Sequence, residues 1–198
     1  MYASRCLLRT RKPQHNEEKK TFTYYEKSEI KRTEYTARLK RVPLNNRVYV
    51  DESGINTWFY REYARATRGI IIEDTKPGTK FSRINVIGAL YNGIHTALGW
   101  YKQSTDGEFF EYWFKKHLLP AIPKGSTIIL DNARYHRKNE LYKLARGKAR
   151  ILFLPPYSPD YNPIEKSWAN MKRFLSNNMH NFKSVNSAIH YYFKVIGT

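Results

Sequence analysis

Three acids in this chain stand where chemistry could be done. Asp51 follows the alternating run "RVYV", Asp131 follows the apolar run "STIIL", and Glu165 closes the proline-dense "LPPYSPDYNPIE". In open α/β sheets, ligands gather outside the carboxyl ends of the strands, so strand-end aspartates are well placed. Two acids from strands and one from a helix form a hard oxygen cluster suited to Mg²⁺ or Mn²⁺. With two such ions roughly 4 Å apart, one activates an attacking oxygen and the other steadies the leaving oxygen of a phosphodiester. Each acid taken alone has a plainer explanation. Asp51 begins a turn with Glu52, Ser53 and Gly54, and Asp131–Asn132 is ordinary turn chemistry. Asn162, Pro163 and Glu165 fit the N-cap, first and third positions of a capping box. Glu52 should point away from Asp51 along a strand, and Asp160, inside the proline loop, is a weaker third acid than Glu165.

The elements that must position these acids can be read from periodicity and turn residues. A helix is expected over 26–41, stopped by Pro43. Strands are expected over 47–54, closed by Gly54, then over 56–63, 84–93 and 93–102, as a meander. Phe109, Phe110, Trp113, Phe114, Leu118 and Leu119 fall at helical spacing over 106–122. Compact apolar runs at 126–131 and 149–155 read as strands buried on both faces, separated by a short helix near 138–146. Helices over 162–177 and 183–195 complete the chain. The fold class is therefore α/β, a mixed sheet with an antiparallel meander plus parallel strands, flanked by helices. Pro155, Pro156, Pro159 and Pro163 stiffen the connector before Glu165, which limits how far that acid can wander.

Composition points to the partner. The formal net charge is +18, concentrated in residues 1–46 and 131–198. Such an excess repels itself in a compact chain, so a polyanion is the natural counterpart, nucleic acid first and an anionic membrane surface second. Arg61, Arg65 and Arg68 in "YREYARATRG" are spaced to face a phosphate backbone, as are Lys166, Lys172 and Arg173 near Glu165. Their contacts would make binding steeply salt-dependent. Cys6 is the only cysteine, which excludes disulfides and thiolate metal cages. No apolar run reaches membrane-span length and no signal peptide is visible, so an intracellular protein is expected.

"DNARYH" at 131–136 and "LPPYSPDYNPIEKSW" at 154–168, with the earlier "VYVDESGIN", resemble the DDE transposases of the mariner superfamily, particularly the bacterial insertion-sequence branch. The match covers about residues 26–195, and the proline motif is long and unusual. Tyr161 stands where the family commonly has leucine. The resemblance implies an RNase H-like fold and a two-metal site using Mg²⁺ or Mn²⁺. Asp51, Asp131 and Glu165 would be both metal ligands and catalytic residues. Asn132 and His136 become candidates for contacts with the ligands or with DNA, while Trp168 is expected in the core. It further implies hydrolytic cleavage of double-stranded DNA at element ends, 3′-OH strand transfer into target DNA, and a homodimer on paired ends. The cytoplasm or nucleoid of a prokaryote would be the setting. Only 46 residues precede the first strand, fewer than the family's helix-turn-helix region needs beside the helix at 26–41. Residues 1–45 are accordingly expected to be a basic arm and linker helix, the remnant of an amino-terminal region, and 46–198 the catalytic domain. Two alternatives stay open, a truncated DNA-binding remnant that does not transpose and a stand-alone metal-dependent nuclease of the same fold.

Overall fold

A computed structural model describes residues 28–56, 66–71, 73 and 83–196. Helix α1 (Glu29–Lys40) opens with Ser28 as N-cap, its side chain accepting from the Lys31 N–H. The strands are β1 (Arg47–Asn56), β2 (Arg83–Tyr91), β3 (Ile94–Tyr101), β4 (Thr127–Leu130) and β5 (Arg150–Phe153). They form one sheet in the order β3-β2-β1-β4-β5. The β1–β2 and β2–β3 pairs are antiparallel, and the β1–β4 and β4–β5 pairs are parallel. Asn92 and Gly93, both at positive φ, make the two-residue turn between β2 and β3.

Helices cover both faces. Helix α2 (Gly107–Trp113) runs through a π-helical turn, Phe114–Leu118, into α3 (Leu119–Ala121). Pro120 cannot donate to the turn before it, which fits the widened winding there. With α4 (Lys138–Ala145), this segment buries Phe110, Trp113, Phe114, Leu118 and Leu141 against Val48, Val50, Ile87 and Ile128. The opposite face packs Ile55, Ile84 and Val86 against α5 (Ile164–Asn178) and α6 (Val185–Tyr191). A smaller cluster of Tyr35, Ile129 and Leu154 seats α1 at the β4–β5 end of the sheet.

The expected mixed sheet is present, with one difference. Gly54 does not close β1. The strand runs on to Asn56 because β2 keeps pairing with it, from Val48 opposite Tyr91 to Asn56 opposite Arg83. Apart from Asn56, which ends β1, the strand expected over 56–63 lies outside the described residues, as does the arm over 1–25. Among the described residues, no helix is long and apolar enough to cross a membrane.

Candidate active site

Asp51 sits in the middle of β1 rather than at its end. Its parallel neighbour β4 pairs only Arg47–Tyr49 with Thr127–Ile129 and stops at Leu130. Two residues past the Tyr49–Ile129 pair, the register sets Asp51 and Asp131 level, where β4 has ended and the sheet opens. The crevice expected at a strand end is thus made by one strand ending beside another that continues. Glu165 reaches it from the first turn of α5. All three acids line one cavity of about 460 Å³, together with Asn132, Asn162 and the proline loop.

The capping-box explanation of Glu165 does not hold. Pro163, not Asn162, stands at the boundary of α5, and no side chain caps the helix. The Asn162 amide instead donates to the Val50 carbonyl at 3.2 Å, tying the start of α5 to the strand that carries Asp51. That leaves the Glu165 carboxylate uncommitted among the described residues. Asp160 is committed elsewhere, accepting two hydrogen bonds from Arg32.

The two aspartates have contrasting surroundings. Burial pushes Asp51 up to about 7, and the charges of Glu52, Glu165 and Asp131 add to the effect. Asp131 is also raised by burial, but His136 and the Ala133 N–H, which donates at 3.0 Å, bring it below the ordinary carboxylate range. Glu165 is raised by partial burial and by Asp131, against a lowering effect of Lys172 on the same helix. Asp131 raises both Asp51 and Glu165, and Glu165 raises Asp51, so this side of the cavity is short of positive charge, and three hard oxygen donors suit a divalent cation. Among the described residues, no three acid, histidine or cysteine side chains are drawn tightly enough to form a closed cage as they lie. The acids converge on the cavity with space between them.

The supporting residues are arranged behind the acids. His136 is 5% exposed, and its Nδ1 lies 3.2 Å from Asp131 Oδ1, so it serves that acid and does not reach into open solvent. Its Nε2 is 3.8 Å from Glu52 Oε1, an ion-pair distance on the opposite face of β1 from Asp51. Burial opposes the charge on His136, yet the two carboxylates prevail and hold it up at about 9. Asn132 donates to the Leu154 carbonyl and accepts from Lys138 Nζ at 2.7 Å, which makes it a strut between β4 and the end of β5.

The model of the DDE superfamily endonuclease family matches residues 46–188. The chain belongs to the DDE superfamily. Its fold is that of solved DDE transposase cores. A Mos1 transposase paired-end complex with left transposon end superposes with a TM-score of 0.68 at 14% identity, covering 92% of this chain and 60% of that one. A Mos1 mariner paired-end complex with Mn gives 0.62 at 14% identity, covering 92% and 60%. The isolated catalytic domain of Mos1 mariner transposase gives 0.54 at 14% identity, covering 83% and 78%. The chain thus spans about 60% of the length of the Mos1 chains in those two paired-end complexes. No curated protein matches it in sequence.

The basic residues of this DDE chain are less concentrated. Lys166, Lys172 and Arg173 are exposed on α5, and Lys172 shares the face of Glu165 two turns on. Arg68 is exposed in a turn, while Arg61 and Arg65 lie outside the described residues. Sequence reasoning missed one contact at the site, the indole N–H of Trp168 on Asp51 at 3.0 Å. The spacing of Trp168 along α5 showed that it faces the sheet, and nothing in the sequence showed which polar group it would meet there.

Proposed function

We propose that this chain is the catalytic domain of a mariner-type DNA transposase, of the bacterial insertion-sequence kind. The observation that carries the reading is the convergence of Asp51, Asp131 and Glu165 on one cavity, from a continuing strand, an ending strand and a helix start. Asp51 and Asp131 would ligate a divalent cation, and Glu165 would complete the set for two. Bound there, Mg²⁺ or Mn²⁺ would supply the charge that favours in-line displacement at phosphorus.

The chain's own residues divide the remaining work. Trp168 orients the Asp51 carboxylate from behind, and His136 with the Ala133 N–H orients Asp131. Stiffened by its prolines, the loop before α5 delivers Glu165. Exposed Lys166 and Arg173 give α5 a positive face for the phosphate backbone of double-stranded DNA. The reaction would be attack of water on the phosphodiester at an element end, releasing a 3′-hydroxyl. That hydroxyl would then attack a target phosphodiester and displace its 3′ oxygen. The Mos1 structures are of paired-end complexes, which supports two copies acting together on paired ends.

Nicking of supercoiled plasmid with Mn²⁺ or Mg²⁺ tests the reading, comparing wild type with Asp131→Asn. Nicking by the wild type alone supports it. Equal activity in both, or none in either while both remain folded and bound to DNA, overturns it. A sequence-specific footprint on the terminal repeats separates a transposase from a nuclease without preference.

A further inference from the structure

Helix α1 precedes the family match, and its contacts converge on the loop that carries Glu165. Arg32 makes a fork with Asp160, Nη1 to Oδ1 at 3.0 Å and Nη2 to Oδ2 at 2.6 Å. The same Nη1 donates to Ser158 Oγ at 2.9 Å, and the guanidinium lies 4.4 Å from the centre of the Tyr161 ring. One turn on, Thr36 Oγ1 stands 3.2 Å from the Tyr161 hydroxyl, and buried Tyr35 packs on the Tyr161 ring. At its far end α1 is fixed to β1, since Arg47 donates to the carbonyls of Leu39 and Val42. The helix therefore bridges the strand of Asp51 and the loop of Glu165.

An exposed ion pair ordinarily contributes little, because solvent screens it and two side chains must be ordered. Arg32 differs. Its side chain is 12% exposed against 55% for Asp160, and a single guanidinium holds a carboxylate, a hydroxyl and an aromatic face at once. These partners sit four to seven residues before Glu165, in a turn whose own support is short-range. Tyr161 N–H bonds Ser158, Asn162 N–H bonds Pro159, and Glu165 N–H bonds Asn162. Inside, Asn162 is held to Val50; outside, among the described residues, α1 presses on the turn.

We propose that Arg32 is a positioning residue for Glu165, acting through Asp160 and Tyr161 so that α1 fixes the third acid relative to Asp51. The proposal rests on the metal-binding reading above. It makes α1 part of the catalytic unit rather than a passive linker to it.

The test uses the full chain and three variants, Arg32→Gln, Asp160→Asn and the double variant. The first measurement is Mn²⁺ titration followed by thermal shift. The second is amide hydrogen exchange of residues 159–166 in the metal-free protein. Each single variant should raise the Mn²⁺ concentration for half-maximal stabilisation by roughly 3- to 10-fold. Exchange in 159–166 should quicken, while the β1 and β4 amides stay protected. The double variant should be no worse than the worse single one, because both remove the same contact. Arg32→Lys should recover little, since an ammonium cannot form the fork. If Arg32→Gln fails to fold, Asp160→Asn interrogates the contact from a mostly exposed position. A wild type stabilised by Mn²⁺, with variants whose Mn²⁺ affinity is unchanged, overturns the brace alone. A wild type with no response to Mn²⁺ overturns the metal reading and the brace with it.

Discussion

Trp168 donates its indole N–H to Asp51 Oδ2 at 3.0 Å, so a core residue of α5 holds an acid of the cavity from behind. The tryptophan is 3% exposed, and a buried indole N–H needs an acceptor. Gly88, the register partner of Asp51 on β2, makes room for it: a Cβ there would stand 3.3 Å from Trp168 Cη2 and 2.7 Å from Leu98 Cδ2. One strand position, one glycine and one helix residue thus set the orientation of a single carboxylate.

Trp168→Phe keeps most of the packing and removes the donor. Losing a hydrogen bond to a charged group should cost about 1.5–3 kcal/mol of carboxylate orientation. Affinity for Mn²⁺ should fall about tenfold, with plasmid nicking recovered only at higher Mn²⁺. Calorimetric titration against wild type checks it. Unaltered affinity would mean that the indole merely packs.

Gly88→Ala pushes a methyl into Leu98 and the edge of Trp168. Crowding of this kind should destabilise the fold by about 1–3 kcal/mol. It should also displace the indole from Asp51, so tryptophan fluorescence and Mn²⁺ affinity should change together. Urea unfolding measures the first effect. A Gly88→Ala protein as stable as wild type would show that Leu98 simply moves aside.

What the sequence made legible follows from the range of each interaction. The strands and helices among the described residues were readable because period-2 and period-3.6 patterns are local, and because prolines act on their own neighbours. The capping box failed at Asn162 because its side-chain amide donates to the Val50 carbonyl, far away in the chain, and its oxygen accepts no N–H at the helix start. Gly54 was misread as a stop because strand length depends on the partner, and β2 continues to Arg83. Asp160 looked like a spare acid until Arg32 of α1 came against it. Trp168 was correctly given to the core, but its bond to Asp51 depends on where β1 lies under α5. Each miss is a tertiary contact overriding a sound local preference.

The acids should also govern stability. Asp51 is raised to about 7 from 3.8, so the folded, metal-free chain binds that proton more tightly than the unfolded one. Its contribution is greatest at low pH and is lost as pH rises from about 4 to about 7. His136 is raised to about 9 from 6.5, so its contribution is full below about 6.5 and is lost as pH climbs through about 9. Metal-free protein should therefore lose stability in two steps between about pH 4 and pH 9, each on the order of 3–4 kcal/mol. Urea unfolding in EDTA at pH 5, 7 and 9 measures it. Asp51→Asn should remove the lower step and stabilise the metal-free chain at pH 8, and a flat profile in wild type would contradict this account.

DNA binding offers the last prediction. Lys166 and Arg173 are exposed on α5, clear of the buried supports of the acids. If they meet phosphates, each replaced by alanine should reduce the slope of log affinity against log salt by about 1. The loss should be uniform across DNA sequences, because phosphate contacts position the protein without reading bases. Tm should stay within about 1 °C of wild type, since surface substitutions of this kind fall within about 0.5 kcal/mol. Fluorescence anisotropy on a labelled duplex at several salt concentrations gives the slopes. Slopes identical to wild type would put the DNA on another face, and the positive charge of α5 would then be a solvated surface.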